Sequence, residues 1–148
     1  MADAQNLKLK LVTLLGEKLG EPVYEVILPS KTGRITVLPG HEPLVTLLNP
    51  GAMAIRRHKD DPDMKLEFLA ISGGVAEITG KEIVILADEA ESDREIAEKE
   101  AREAYDRAVK AAENVDDQIE LEEAKRLVQH QAARLRVAEL RRRYREGR

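Results

Sequence analysis

Cysteine is absent from the 148 residues, which excludes disulfides, thiolate zinc sites and thiol nucleophiles. Tryptophan is absent too, and aromatics make up 3% of the chain with a single phenylalanine. Hydrophobic residues nevertheless reach 43%, so the core is expected to be aliphatic. A surface of stacked aromatics, as single-stranded nucleic acids require, is not expected. No apolar run approaches the roughly 18 residues of a membrane-spanning helix. The first ten residues, MADAQNLKLK, carry an acid and no apolar stretch, so no export signal is read and an intracellular protein is expected. Glycine and proline are both missing from Lys81 to Glu146, whereas all six prolines and eight of nine glycines lie between Gly16 and Gly80. These residues mark turns and disfavour helix interiors. The first part must therefore turn often, and the second need not.

Within the first part, short β-type runs recur. Leu7 to Val12 alternates apolar and polar residues, as a strand with one buried face does. Val23 to Leu28, Ile35 to Leu38, Ala52 to Ile55, Leu66 to Ile71, Val75 to Ile78 and Ile83 to Leu86 continue the series. Turn signals separate them, including Pro39-Gly40, Asn49-Pro50-Gly51, the acidic stretch Asp60 to Asp63 and Ser72-Gly73-Gly74. No helix-length segment intervenes, which points to an antiparallel sandwich and not a parallel βαβ sheet.

The second part changes period. Ser92 with Glu95 three residues on matches a capping box. Ala97, Ala101, Ala104, Tyr105, Ala108 and Ala112 then follow at three- and four-residue steps. Asn114 to Asp117 interrupts the pattern, and Asp116 or Asp117 can cap a second helix. That helix carries Leu121, Ala124, Leu127, Val128, Ala132, Leu135, Ala138 and Leu140 on its apolar side. A short link predicts antiparallel packing. The expected fold is thus α+β: an N-terminal antiparallel β-sandwich over residues 1–90, then a C-terminal antiparallel two-helix hairpin over residues 91–148. Alanine buries little apolar area, so the hairpin is expected to depend on docking to the sandwich or to another protein.

The net charge of -4 conceals a gradient. Residues 91–123 hold 13 acidic and 5 basic residues, whereas residues 124–148 hold 9 basic and 2 acidic. A basic end after an acidic middle steers the C-terminus toward acidic partners. It equally suits the dipole of a solvated helix end.

Little in the chain resembles catalytic machinery. His41, His58 and His130 do not share metal-ligand spacing, His41 reads as part of a turn, and the other two read as solvent-facing. Ser72 lacks the G-x-S-x-G context of a nucleophile elbow, and a tight turn is expected there. No phosphate-binding glycine loop or EF-hand pattern occurs. The residues favour an interaction protein over an enzyme.

From Gly33 through Thr46, with its Pro39-Gly40-His41-Glu42-Pro43-Leu44 block, the chain resembles the epsilon subunit of bacterial F-type ATP synthase. Ile71 to Val75, Ile83 to Ala90 and Leu135 to Leu140 extend the likeness in family order over nearly the whole chain. The resemblance implies a non-catalytic central-stalk subunit, at the cytoplasmic face of the cell membrane and peripheral to it. Its implied partners are the gamma subunit, the c-ring and the alpha/beta catalytic head, with no nucleic acid. It implies coupling of proton translocation to ATP synthesis, and inhibition of ATP hydrolysis when the helices extend. Arg34 and His41 are the implied contacts to gamma and the c-ring, with Arg34 standing where many members carry glutamate. Arg134, Arg136, Arg141, Arg142 and Arg143 are the implied contacts to the catalytic beta subunit. Some members bind ATP through an I/L-D-x-x-R-A motif. The matching stretch here is Ser92 to Ala97, and no Asp-x-x-Arg occurs anywhere. No cofactor is therefore expected, and ATP binding is expected to be absent or weak. The competing reading is a stand-alone module that binds nucleic acid or an acidic protein surface through its basic C-terminal helix.

Overall fold

The computed structural model describes residues 6–146 and places eight strands and two α-helices among them. Residues 1–5 of the stretch read for an export signal lie outside the described residues, and the rest of it enters β1. Strands β1 (Leu7–Thr13), β2 (Gly16–Val23), β3 (Glu25–Ser30) and β4 (Gly33–Val37) are short. Strands β5 (Leu44–Arg56) and β6 (Glu67–Ile78) are long, and β7 (Glu82–Leu86) and β8 (Ala90–Ser92) complete the set. Helices α1 (Glu98–Glu113) and α2 (Gln118–Arg141) follow, and α2 ends in a π-helical turn over Arg142–Glu146.

The two long strands explain the sandwich. Residues 44–48 of β5 pair with residues 74–78 of β6, which pair in turn with β7. Strand β7 pairs with β1, and β1 with β2, completing one layer. The other halves, residues 50–55 of β5 and 67–72 of β6, join β3 and β8, with β4 on the edge beyond β3. Both strands thus switch layers near Asn49-Pro50-Gly51 and Ser72-Gly73-Gly74, as corners of packed sheets do. The two segments are not the tight turns that their composition suggests. Asn49 and Gly73 are left unpaired between flanking pairs of unchanged register, and Gly73 and Gly74 take φ values of 98° and 142°. The pairs are antiparallel except β1 with β7, which lie side by side in parallel although distant in sequence. The stretch Val23 to Leu28 is likewise not one strand: it breaks at Tyr24 between β2 and β3.

Leu7, Leu9, Leu11, Val26, Leu28, Met53, Ile55, Ile71, Ile83 and Ile85 meet between the layers with no exposed surface. This core is entirely aliphatic, as the composition dictates. The second layer is covered on its other face as well. Ala52, Ala54, Phe68 and Ala70 pack there against Ala101, Ala133, Leu135, Val137, Ala138 and Leu140 of the hairpin. Burial on both faces is why Ala52 to Ile55 and Phe68 to Ile71 are apolar at every position instead of alternating.

Helix α2 is capped by Asp117, whose carboxylate accepts the Glu120 N–H at 3.0 Å. Helix α1 starts at Glu98, six residues after Ser92. Glu95 does reach back to the Ser92 N–H at 3.2 Å, but around a turn, so half of a capping box forms without a helix behind it. Only the C-terminal half of α2 docks: Leu135, Val137 and Leu140 are buried, while Leu127 is exposed.

Candidate functional site

The two layers are treated unequally, and the difference exposes a surface. Strands β5, β6, β7 and β1 align Leu47, Val75, Leu86 and Val12 in one lateral row. The next row on the same face is Val45, Glu77, Val84 and Lys10. Alternation sends Ala76, Ile85 and Leu11 to the opposite, interior face, where none is exposed. Among the described residues, nothing covers the outward face. Leu47 is 53% exposed, Val75 37%, Leu86 54% and Val45 66%. Only Glu77 and Lys10 bring charge into these two rows. Leu14 and Leu15, at the tip of the β1–β2 hairpin, are also exposed. Val45, Val75 and Leu86 lie in the stretches that carry the family resemblance, but none of these side chains is expected from the sequence as a contact. The signal was nonetheless present, because Ile83 to Ala87 is apolar at every position and a strand with one buried face does not need that.

Arg34 and His41 lie at opposite ends of β4. Arg34 projects from the strand and is exposed. His41 sits in the loop after it, where its Nδ1 meets the Glu42 carbonyl at 2.7 Å and its N–H donates to the Leu38 carbonyl at 3.1 Å. Gly40 donates to the Gly80 carbonyl at 2.9 Å, which ties this loop to the β6–β7 turn.

The five C-terminal arginines do not form one free basic patch. Arg134 bonds Glu91 of β8 at 2.9 Å and Glu100 of α1 at 2.8 Å. Arg141 donates to the Asp93 carbonyl at 3.2 Å, and Arg142 to Glu98 at 3.0 Å. Arg136 and Arg143 remain exposed. Arg145, outside the expected set, donates to the Leu66 carbonyl at 2.8 Å and pairs with Asp93 at 3.6 Å. Tyr144 beside it stacks obliquely on Phe68, with ring centroids 5.5 Å apart. Asp93 is therefore a buried junction, 2% exposed, whose carboxylate also accepts the Phe68 N–H at 3.0 Å. His130 is not solvent-facing as its context suggests. Its side chain is 17% exposed and its Nε2 lies 3.0 Å from Glu89.

The Arg134 guanidinium holds the Glu100 carboxyl below its usual range, and Lys18 does the same to Glu95. A carboxyl with a depressed folded pKa adds stability above its unfolded pKa and loses it as pH falls through the folded value. The contribution of these two pairs to holding the hairpin is thus expected to be present above about pH 5 and to be lost below about pH 4. Distance measurements between labels on sandwich and hairpin across that range check this. An equally firm dock at pH 3 would contradict it.

Among the described residues, no group of three or more His, Cys, Asp or Glu could hold a metal ion. No helix among them is long and apolar enough to cross a membrane.

Comparison with known proteins gives a consistent result. Residues 6–93 match the family model described as ATP synthase, Delta/Epsilon chain, beta-sandwich domain. The ATP synthase epsilon chain of Herpetosiphon aurantiacus is 37% identical over 136 residues, which are 92% of this chain and 96% of that one. The chloroplastic ATP synthase epsilon chain of Oltmannsiellopsis viridis is 38% identical over 119 residues, covering 80% of this chain and 87% of that one. A chain in the cryo-EM structure of the Euglena gracilis mitochondrial ATP synthase, which includes OSCP, F1 and c-ring, shares the fold. Its TM-score is 0.74 at 24% identity, over 87% of this chain and 79% of that one.

Proposed function

The chain belongs to the ATP synthase delta/epsilon family, as an epsilon-type chain, and on that premise we propose that it is a non-catalytic rotor subunit that docks through one face of its sandwich and regulates through its hairpin. The observation that carries the reading is the uncovered aliphatic face built from Val12, Val45, Leu47, Val75, Val84 and Leu86. A gamma-type stalk subunit is its occupant. Arg34 and His41 extend the contact toward gamma and the c-ring. Membrane association is peripheral and runs through the complex, at the cytoplasmic face.

The hairpin is the regulatory element, folded onto the second layer here and inhibitory when extended. Residues 1–90 serve docking and residues 91–148 regulation. Strand β8 runs to Ser92 and pairs with β6, so the mechanical joint lies just after it, around Asp93 to Ala97. Released from the sandwich, Arg134, Arg136, Arg141, Arg142 and Arg143 meet an acidic surface on the catalytic beta subunit. The engagement of Arg134, Arg141, Arg142 and Arg145 argues against a stand-alone nucleic-acid module, since the chain's own carboxylates and carbonyls already hold these four.

A chain ending at Asp93 tests the regulatory part. It retains β8 and the Asp93–Phe68 bonds. Assembly is expected to survive, and ATP hydrolysis by the complex is expected to rise several-fold. Unchanged hydrolysis in an assembled complex would remove the inhibitory role.

A further inference from the structure

We infer that Arg134 is a saturated latch that holds the hairpin folded, and that the partner-binding surface becomes available only when this latch opens. The inference rests on the regulatory reading above. A guanidinium has five N–H donors in a rigid fork. Here Nε donates to Glu91 at 2.9 Å. Nη1 donates to Gln131 at 2.9 Å and to Glu100 at 3.5 Å. Nη2 donates to Glu100 at 2.8 Å and to Glu91 at 3.4 Å. Every donor is used, and the side chain is only 11% exposed.

The partners belong to three elements. Glu91 is on β8 of the sandwich, Glu100 is on α1, and Gln131 is one turn back on α2. One side chain therefore ties both helices to each other and to the sandwich. Lifting the hairpin breaks the Glu91 bonds, and separating the helices breaks the Glu100 bonds. Arg134 cannot serve these carboxylates and an acidic partner at the same time. The folded state masks it, and the extended state frees it together with Arg141 and Arg142, which Asp93 and Glu98 otherwise hold. The latch is built from the chain's own side chains. A partner carboxylate must displace Glu91 and Glu100 to take Arg134.

The absence of cysteine makes the test direct, because two introduced cysteines are the only labelling sites. Spin labels at Thr36→Cys and Lys125→Cys report the sandwich-to-hairpin distance in the full isolated chain. One narrow, short distribution is expected. Glu91→Gln with Glu100→Gln is expected to raise the long-distance population roughly tenfold, because charge-assisted bidentate pairs are the strongest of their kind. Arg134→Lys keeps the charge but loses the fork, and an intermediate population is expected. Retention of the sandwich resonances shows that the variants fold. A folded double variant with an unchanged distribution, or Arg134→Lys as closed as the parent, would overturn the latch. Opening in the isolated chain without any fall in hydrolysis once assembled would count against the functional reading and leave the latch standing.

Discussion

Replacing both Leu47 and Leu86 with aspartate is expected to abolish association with a gamma-type rotor subunit, by more than about a thousandfold in affinity. The two residues flank Val75 in the lateral row of the uncovered face. Burying a leucine stabilises by about 1.5–3 kcal/mol, and each substitution forfeits that term. Each also asks an unpaired carboxylate to enter an apolar contact, which costs several kcal/mol more. The fold should hardly notice. Both side chains are about half exposed in the isolated chain, and such surface changes usually fall within about 0.5 kcal/mol. Co-purification and a melting curve separate the two effects. Retained association would remove this face as the docking surface, and a collapsed melting temperature would show that the row belongs to the core.

Gly74→Ala is expected to destabilise the isolated domain by about 3 kcal/mol or more. Gly74 has φ of 142°, a conformation that side chains disfavour. A Cβ there would also be driven into the backbone carbonyl of Leu86 on the neighbouring strand. The atom in the way is main chain of β7, held by its own pairing, so it cannot rotate aside as a side-chain end would. The residue sits where β6 turns from one layer into the other, so relieving the clash disturbs both layers. Urea denaturation measures the loss. A midpoint within error of the parent would mean that the corner yields freely.

This glycine also shows what was legible in the sequence and what was not. The motif around Ser72 to Gly74 was visible, and glycine was correctly read as a demand on the backbone. Composition cannot distinguish a chain that reverses from one that bends within a strand, because both need the same torsions. The pairing of β5 with β6 across the bend decides between them, and it is a long-range fact. The hairpin was legible from its 3.6-residue period and the Asp117 cap. The start of α1 was not, because the Ser92–Glu95 pair makes the same bond around a turn that it would make at a helix end. The arginines were legible as charge, but their partners were not. Glu91, Asp93, Glu98 and Glu100 lie more than thirty residues earlier in the chain and come within reach only when the hairpin folds back. The uncovered aliphatic face was half legible: uninterrupted apolar strands announce two buried faces, and the fold shows which face its own described elements leave bare.

The central claim is that this bare face meets the rotor. A photoreactive label on Leu47→Cys in the assembled complex tests it most directly, with Glu103→Cys on the exposed side of α1 as the control. Efficient cross-linking of position 47 to a gamma-type subunit is expected, with little from position 103 while the hairpin is folded. No cross-link from position 47 in an intact, assembled complex would contradict it.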